Sequence, residues 1–540
     1  MHNSPSLSCG QTLVKLLEAY GTDTIFGIPG VHTVELYREL PNTSIRHITP
    51  RHEQGAGFMA DGYARTSGRP GICFLITGPG ITNAATALAQ AYSDSVPVLA
   101  ISSVNRTGTL RRGLGCLHEL PSQRNLTAQF TAFSHTVLTP DELPAVIAEA
   151  FAVFGSRRPR PVHIEIPIDV LTQPGRVTTA AASAPSRPAP DSSVTREIGN
   201  LLKGAAAPVV ILGGGARDAG PVATQLIDRL GAPVLLTVAA KGIIDERHPL
   251  CVGAALQFAP VQSLIEAADV VLAVGTEFSE TDWWRENEPL RFGGTVLRID
   301  IDPRQLTRNV EPAVSLVADA TLALHALNNE LESHVSAITA TNTARVAQLR
   351  NAIPAHWRAG TAKHARVWDI IGTHLPDNAI ITADSTQLVY SGNHCFGAHR
   401  PRTWHCSTTG YGTLGYALPA AIGAQLASPN DPVLAVMGDG GLMFTVAELA
   451  SAVQLELAIA VLVWHNQGYA EIRDYMRDHQ IVPQGVDLTA PDLPRLAEAF
   501  GCAACRPDSA EALGTALQRA FSRRGPSIIE LREDAAFLDI

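Results

Sequence analysis

The stretch from residue 433 to residue 472 reads VLAVMGDGGLMFTVAELASAVQLELAIAVLVWHNQGYAEI. It contains two apolar runs, separated by a segment of helical character over Met443 to Leu457. The first run closes with Gly438, Asp439, Gly440 and Gly441, and the second closes with Asn466, Gln467, Gly468 and Tyr469. This order predicts a strand, a glycine-rich turn, a helix, a second strand and a second turn.

The ends of these two predicted strands carry the polar groups expected of a metal and phosphate site. In a parallel sheet the carboxyl ends of neighbouring strands form one crevice, in which ligands bind. Asp439 and Asn466 would therefore converge, and their oxygens are ligands that Mg²⁺ or Ca²⁺ prefers. The glycines would let a phosphate approach the N–H groups at the helix start. The alternative is an ordinary βαβ unit with a glycine-rich turn.

The composition is that of a large α/β protein. A length of 540 residues allows two to four domains at about 150 residues each, and an apolar content of 46% is ample for several cores. A net charge of −10 argues against nucleic acid or an anionic membrane as the main partner. The N-terminus has no signal-peptide pattern, and no apolar run approaches the ~18 residues of a membrane span. We therefore expect a cytoplasmic protein without a membrane partner.

Apolar runs and turns divide the chain into three predicted units, residues 1–173, 196–336 and 357–540. Residues 174–195 are rich in Pro, Ala, Ser and Thr and are predicted to be a linker. Alternating strands and helices predict a doubly wound parallel sheet in each unit. The eight cysteines are scattered, and CxxC at 502–505 lacks a second pair, so we expect structural or incidental cysteines.

Three further motifs accompany the opening stretch, namely FGIPG at 26–30, RHEQGAGFMADGYAR at 51–65 and TGPGITN at 77–83. In this order they resemble the thiamine-diphosphate-dependent enzymes, in particular the acetolactate synthase and 2-oxo acid decarboxylase group, over nearly the whole chain. The resemblance implies a thiamine-diphosphate-binding fold at both ends and a Rossmann-like middle domain. It also implies thiamine diphosphate and Mg²⁺ as cofactors.

The resemblance assigns roles to residues at matching positions. Glu53 would be the carboxyl that binds the aminopyrimidine ring and shares a proton with it, although a helix N-terminal glutamate is the alternative. Asp439, Asn466 and the carbonyl of Gly468 would bind the metal. Leu414 would hold the cofactor bent, where acetolactate synthases usually have Met; core packing is its alternative. The implied cofactor-binding residues are Gly30, Glu53, Thr77, Asn83, Ser385, Gln387, Gly412, Leu414, Gly438, Asp439, Gly440, Gly441, Asn466, Gly468 and Tyr469.

The segment Leu117-His118-Glu119 stands where acetolactate synthases carry Phe-Gln-Glu. An imidazole in place of a carboxamide could supply the proton that ends the reaction at an aldehyde, so His118 is predicted to be catalytic. A hydrogen-bonded structural histidine is the alternative. The motifs at 26–40, 51–65, 115–120 and 275–284 together look most like the 2-ketoarginine (5-guanidino-2-oxopentanoate) decarboxylases, which would release CO₂ and 4-guanidinobutanal.

The sequence does not choose the residues that recognise the 2-oxo acid. A guanidinium substrate needs a carboxylate in the pocket. The carboxylates available are Glu35, Glu119, Asp282, Glu471 and Asp474, and the other specificity candidates are Ile28, Val31, His32, His118 and the segment after Tyr469. A carboligase of the acetolactate synthase type is the alternative activity. A non-catalytic relative is a third possibility, against which the intact Glu53, Asp439 and Asn466 argue.

Two expectations concern the middle domain and the assembly. Glu277 replaces the arginine that contacts flavin in acetolactate synthases, and a carboxylate facing a diphosphate is unfavourable, so we expect no bound FAD. The family places Glu53 and Asp439 of one site on different subunits. We therefore expect a homodimer or homotetramer with active sites at the dimer interface.

Overall fold

The computed structural model describes residues 7–175, 178–283 and 291–539. Three six-stranded sheets follow one another along the chain, and all pairings between their strands are parallel. This α/β architecture confirms the predicted fold class. The domain limits and the linker stay predictions, and residues 1–6, 176–177, 284–290 and 540 of those ranges lie outside the described residues.

The first sheet has the strand order β2-β1-β3-β4-β6-β5. Its strands β1 to β6 are Thr24–Gly27, Arg46–Ile48, Gly71–Leu75, Val98–Val104, Ser134–Thr136 and Val162–Pro167. The helices α1 to α7 are Cys9–Ala19, Val34–Tyr37, Glu53–Ser67, Pro79–Ser93, Gln123–Thr127, Leu143–Ser156 and Ile168–Leu171. The strand order reverses direction beside β1, and such a point opens a crevice at the carboxyl ends of the strands.

The middle sheet has the order β12-β11-β10-β7-β8-β9. Read from the β9 edge, this is the strand order of the Rossmann fold. Its strands β7 to β12 are Pro208–Leu212, Val234–Leu236, Cys251–Gly253, Val270–Val274, Thr295–Asp300 and Val314–Val317. The helices α8 to α13 are Ser192–Gly204, Gly220–Leu230, Ala259–Glu266, Glu280–Trp283, Ala320–Glu330 and Thr339–Ala352.

The third sheet, β14-β13-β15-β16-β18-β17, repeats the order of the first. Its strands β13 to β18 are Ile380–Ala383, Trp404–Cys406, Val433–Gly438, Ile459–His465, Ala503–Cys505 and Ser527–Arg532. The helices α14 to α21 are Thr361–His374, Gln387–Cys395, Ala417–Ala427, Asp439–Thr445, Glu448–Gln454, Ala470–Asp478, Leu493–Phe500 and Ala510–Ser522. Strands β15 and β16 are apolar and buried almost throughout, as expected where helices cover both faces of a parallel sheet.

The two end domains are joined by close packing of α3 against α16. A Cβ at Gly62 would meet the Ala420 carbonyl oxygen, and a Cβ at Gly423 would meet the Met59 carbonyl oxygen. The Tyr416 hydroxyl also donates to Asp61 at 2.7 Å. Glycine is therefore needed on both helices for the backbones to approach this closely.

The predicted helix over 443–457 is wrong as a single element. The structure has two short helices, α17 and α18, with a break at Val446 and Ala447. The Thr445 hydroxyl donates to the Gly415 carbonyl at 2.8 Å, and the buried Glu448 carboxylate binds backbone N–H groups of the first domain. Among the described residues, no helix is both long and apolar enough to cross a bilayer.

Candidate active site

The carboxyl ends of β15 and β16 bring Asp439 and Asn466 together. The two strands pair in register up to Gly438 and Trp464, so their next polar residues emerge side by side. Asp439 and Asn466 are only 4% and 8% exposed. As oriented here, the Asn466 amide oxygen lies 3.0 Å from the Gly468 carbonyl oxygen and 3.3 Å from Asp439 Oδ1.

These three oxygens have no hydrogen between them, so they repel one another unless a cation separates them. Adjacent ligands of an octahedral Mg²⁺ at about 2.1 Å stand about 3 Å apart. The spacing of the oxygens therefore fits a small divalent cation. Turning the Asn466 amide over would replace both contacts with hydrogen bonds to Gly468 and Asp439, the arrangement expected without a metal.

Two residues that the sequence did not predict, His465 and Glu530, lie behind Asp439 together with the predicted Gly468. The Gly468 N–H donates to Asp439 Oδ2 at 3.0 Å, and His465 Nε2 lies 3.8 Å from the same oxygen. His465 Nδ1 lies 2.7 Å from Glu530 Oε1. Burial raises the pKa of Asp439, and the neighbouring His465 opposes that rise. Glu530, a lone carboxylate in the apolar strand β18, was the available sequence signal for this support.

The predicted diphosphate residues surround the start of α17 and α15. Gln387 is the first residue of α15, and its Oε1 lies 3.2 Å from Asn466 Nδ2. An added Cβ at Gly440 would lie 2.8 Å from the Tyr469 ring, and one at Gly441 would lie 2.9 Å from Asp384 Oδ2. A larger side chain at either glycine would therefore fill the space at the helix start.

Asp384 is a buried residue of this region that the sequence did not single out. Its carboxylate accepts from Ser385 N at 2.8 Å and from Gly415 N at 2.7 Å, so it ties the turn after β13 to the turn before α16. Burial raises the pKa of Asp384 to about 6. In the second turn, Gly412 has φ +73° with open space around it, and Leu414 is half-buried beside Gly441.

Glu53 begins α3 at the carboxyl end of the first sheet. Its Oε2 accepts from the Asn83 amide at 2.9 Å, and its side chain is partly exposed within the single chain. The turn before it is held by Glu448 of the third domain, which is 1% exposed and accepts from Arg51 N at 2.9 Å and His52 N at 3.1 Å. Glu448 thus positions the start of α3, and burial raises its pKa.

His118 lies against the turn that follows β3. Its φ is +62°, and a Cβ at Gly78 would come within 2.5 Å of its carbonyl oxygen. Thr77, in the same turn, donates from Oγ1 to Ser103 Oγ at 2.9 Å. Gly30 lies nearby over Ile76, whose side chain leaves no room for a Cβ.

The predicted residues therefore form two groups within one chain. Gly30, Glu53, Thr77, Asn83 and His118 lie at the first sheet, and the others lie at the third. Within the described ranges, no hydrogen bond directly joins a predicted residue of one group to one of the other. A complete site that uses both groups therefore needs a further component between them, such as a second copy of the chain.

The five carboxylates that could bind a cationic substrate have different surroundings in the structure. Glu35 is bound by Arg38 at 2.8 and 2.6 Å, and Glu119 accepts three backbone N–H groups of its own loop. Asp282 lines a cavity between the domains. Glu471 and Asp474 lie on α19, which directly follows residues 466–469, and Gln387 Nε2 donates to Asp474 at 3.1 Å.

The cavity that Asp282 lines lies where residues of all three domains meet, and it has a volume of about 220 Å³. It is lined by six arginines and six carboxylates, so its charges largely neutralise one another. Glu277, the predicted replacement for the flavin-contacting arginine, is paired with Arg158 at 3.0 Å. Burial raises the pKa values of Asp282 and Asp300 to about 6. Ligand pockets usually have about 300–1,000 Å³, so this cavity is small in comparison.

Family models of thiamine pyrophosphate enzymes match three parts of the chain. The N-terminal TPP binding domain matches residues 7–126, the central domain matches 195–327, and the C-terminal TPP binding domain matches 384–531. The three matches follow one another as the three sheets do.

Full-length relatives agree with these matches. A probable 2-ketoarginine decarboxylase of Pseudomonas aeruginosa is 49% identical, over 99% of this chain and 96% of the relative. The large subunit of acetolactate synthase isozyme 1 of Escherichia coli is 32% identical, over 97% of this chain and 93% of that subunit. An acetolactate synthase of Arthrospira platensis is 32% identical, over 96% of this chain and 93% of the relative. The chain belongs to the thiamine pyrophosphate enzyme family.

Proposed function

We propose that this chain is a thiamine-diphosphate-dependent decarboxylase that converts 2-ketoarginine into 4-guanidinobutanal and CO₂. The observation that carries the proposal is the 49% identity, over 99% of the chain, to the probable 2-ketoarginine decarboxylase. Identity to the acetolactate synthases compared above is 32%. The His118 position, where those synthases carry a glutamine in the resembling motif, supports the same assignment.

The residues of the third domain would hold the metal and the diphosphate. Asp439, Asn466 and the Gly468 carbonyl would bind Mg²⁺, as the spacing of their oxygens supports. Phosphate oxygens would complete its coordination at the start of α17, where glycines leave the backbone N–H groups accessible. Ser385, Gln387, Gly438, Gly440, Gly441 and Tyr469 would line the diphosphate.

The residues of the first domain would bind the pyrimidine end and control protons. When bound, thiamine diphosphate supplies the electron sink that accepts the charge left by departing CO₂. Glu53 would hold a proton against the ring, with Asn83 fixing the direction of its carboxyl. From the third domain, Gly412 would offer its carbonyl to the pyrimidine, and half-buried Leu414 would set the shape of the cofactor. His118 would then supply the proton needed to form the aldehyde.

Glu471 and Asp474 would attract the guanidinium of the substrate. Both lie on α19, directly after residues 466–469, and both side chains keep substantial exposure in one chain, 41% and 50%. A carboxylate is the natural partner of a planar guanidinium group. Each of the two has an arginine nearby, Arg358 at 3.6 Å from Glu471 and Arg477 at 3.4 Å from Asp474, which the substrate would have to displace.

FAD is not expected in the middle domain. The Glu277 carboxylate, at the position where the resembling flavin enzymes carry an arginine, would repel a diphosphate, and it already pairs with Arg158 at 3.0 Å. The purified protein should therefore lack a flavin absorption band. A band corresponding to about one flavin per chain would contradict this expectation.

A homodimer is the smallest assembly proposed, with a tetramer as the larger one. Several large apolar side chains beside the two groups of site residues are exposed in the single chain, including Val31 (71%), Leu117 (61%) and Phe444 (52%). Such exposure is typical of a surface that another chain covers. The two groups of site residues would then be brought together by a second copy of this chain.

The test is an assay of the purified protein with thiamine diphosphate and Mg²⁺ against 2-ketoarginine, pyruvate and an uncharged 2-oxo acid of similar length. We expect CO₂ and aldehyde from 2-ketoarginine at a kcat/KM well above that for the other two. Chelation of the metal should abolish the reaction, and added Mg²⁺ should restore it.

The second candidate is a carboligase of the acetolactate synthase type, which the 32% identity over nearly the whole chain favours. Acetolactate from pyruvate, at a rate above aldehyde formation from any acid tested, would replace the first proposal with this one.

A further inference from the structure

The structure places two histidines of the first domain side by side. His32 follows the turn after β1, and His118 lies in the long loop after β4, so 86 positions separate them in the sequence. Their ring centroids are 5.2 Å apart, with the planes at 67°. In the sequence they are two separate candidates for substrate specificity, and only the fold brings them together.

Both rings keep an unused nitrogen. Nδ1 of His32 and Nδ1 of His118 are each buried and have no hydrogen-bond partner among the described residues. A buried ring nitrogen without a partner is costly in a folded protein, and a bound molecule or a catalytic role is one explanation for it. The two rings pack against each other although no hydrogen bond joins them, so one explanation can serve both nitrogens.

The loop around His118 is fixed rather than loosely placed. The Glu119 carboxylate accepts from Gly113 N at 2.8 Å and Cys116 N at 3.0 Å, and the Asn105 amide donates to the Leu117 carbonyl at 2.8 Å. The Gly78 N–H is held by the buried Gln123 at 2.9 Å. His118 therefore keeps its place opposite His32.

We infer that His32 is the positioning residue for His118, and that the two imidazoles share one proton, which His118 delivers to the product. This inference rests on the proposed decarboxylation. It assigns His32 a role through His118 and not in direct contact with the reacting carbon.

The proton balance of the reaction requires such a source. A 2-oxo carboxylate, R–CO–COO⁻, takes up one H⁺ to give R–CHO and CO₂. The C–C bond to the carboxylate breaks, and the electron pair left on the carbonyl carbon forms the new C–H bond with a proton from the His118 ring. His118 becomes neutral, and the pair regains one proton from water.

The charges around His32 favour one proton for the pair and not two. Burial lowers the pKa of His32, and the charges of His118 and Arg106 lower it further. A second proton would place two cations about 5 Å apart in a partly dry site. Whichever ring holds the proton, its neighbour stays neutral and can return it.

The first test compares the products of His32→Gln, His118→Gln and the double variant with those of the wild type. We expect aldehyde formation from 2-ketoarginine to fall about 100-fold or more in His118→Gln, and to fall in the same direction in His32→Gln. The double variant should be no slower than His118→Gln, because residues that act as one unit are not additive. The proposal would be overturned if the two single variants lost equal activity and the double variant lost the product of the two single losses.

The second test needs no cofactor and no reaction. Hydrogen exchange at the carbon between the ring nitrogens, followed by mass spectrometry over pH, reports the pKa of each histidine. In His118→Gln the pKa of His32 should rise, because a neighbouring positive charge has been removed. An unchanged pKa of His32 would overturn the pairing.

His135→Gln is the matched control for both tests. His135 lies in the same domain on the edge strand β5, pairs with Glu142 at 3.1 Å, and is 36% exposed. This variant should leave the products and the His32 pKa unchanged. If the wild type decarboxylates no 2-oxo acid, the proposed function fails, while the exchange test still decides whether the two rings are coupled.

Discussion

The Glu53 carboxyl depends on groups from two domains. Asn83 fixes one of its oxygens at 2.9 Å, and Glu448 of the third domain holds the two backbone N–H groups just before it. A carboxyl placed in this way has a defined direction before any ligand arrives. Preorganisation of this kind is what proton transfer to a bound ring requires.

Glu53→Gln should therefore lower activity by about 100-fold or more, because a carboxamide cannot share its proton with the ring. The fold should survive, since a glutamine oxygen can still accept from Asn83. Initial rates and a thermal unfolding scan would measure both effects. Glu149→Gln, an exposed glutamate on α6 of the same domain, should keep full activity, and full activity in Glu53→Gln would refute the proposed role.

Sequence reasoning found Glu53 because its surroundings form a recognisable local motif. It did not find Glu448, because that carboxylate acts on Arg51 and His52, almost 400 positions earlier in the chain. The same holds for Glu530 behind His465. Local patterns predict the residues that would touch a ligand, whereas the residues that hold them are brought together only by the tertiary fold.

His163 tests how a buried neutral imidazole affects stability. It is fully buried on β6, lies 2.8 Å from each of Ser102 Oγ, Thr127 Oγ1 and Ser134 Oγ, and burial lowers its pKa to about 3. In the unfolded chain the pKa is about 6.5. The unfolded state therefore binds a proton that the folded state does not bind. This difference lowers the free energy of unfolding increasingly as pH falls below about 6.5.

His163→Gln should be less stable than the wild type at pH 7.5 or so, because the hydrogen bonds are imperfectly replaced. The difference in the free energy of unfolding between the two proteins should then narrow by about 1.4 kcal/mol for each pH unit below about 6.5. Only the wild type has a histidine that must stay neutral in the folded state. Urea unfolding of both proteins at a series of pH values measures it. A difference that does not change with pH would mean that His163 is not held neutral.

At the scale of elements, the helix pair α3 and α16 ties the two end domains together. The small residues of α3 allow close helix packing, and the structure shows that Gly62 faces the backbone of α16. The sequence does not indicate which helix packs against α3, because small residues occur in both helices and do not specify a partner. The break between α17 and α18 was missed for a related reason, since Glu448 bonds to another domain.

Gly62→Ala should destabilise the protein by roughly 1–3 kcal/mol or more, because the added methyl group would overlap the Ala420 carbonyl and push the helices apart. Activity should fall with stability, since α3 carries Glu53. Gly155→Ala in α6 is the matched control, because nothing lies within 4 Å of its added Cβ. That variant should be as stable as the wild type or slightly more stable. Equal effects of the two changes would show that packing is not the cause.

At the scale of the whole molecule, the two groups of site residues lie at the ends of two separate sheets with the same strand order. One chain presents both groups, each bordered by exposed apolar side chains such as Val31 and Phe444. If the groups that make one site come from different chains, a dimer has two sites, each with Glu53 from one subunit and Asp439 from the other.

Mixed dimers distinguish this arrangement from a site within one chain. Glu53→Gln and Asp439→Asn should each be inactive alone. In a dimer that contains one copy of each, a shared site combines the intact Glu53 of one chain with the intact Asp439 of the other. Co-expression with two affinity tags isolates such dimers, which should show about half of the wild-type activity. If each site were built from one chain, both sites would carry a defect and the mixed dimer would be as inactive as its parents.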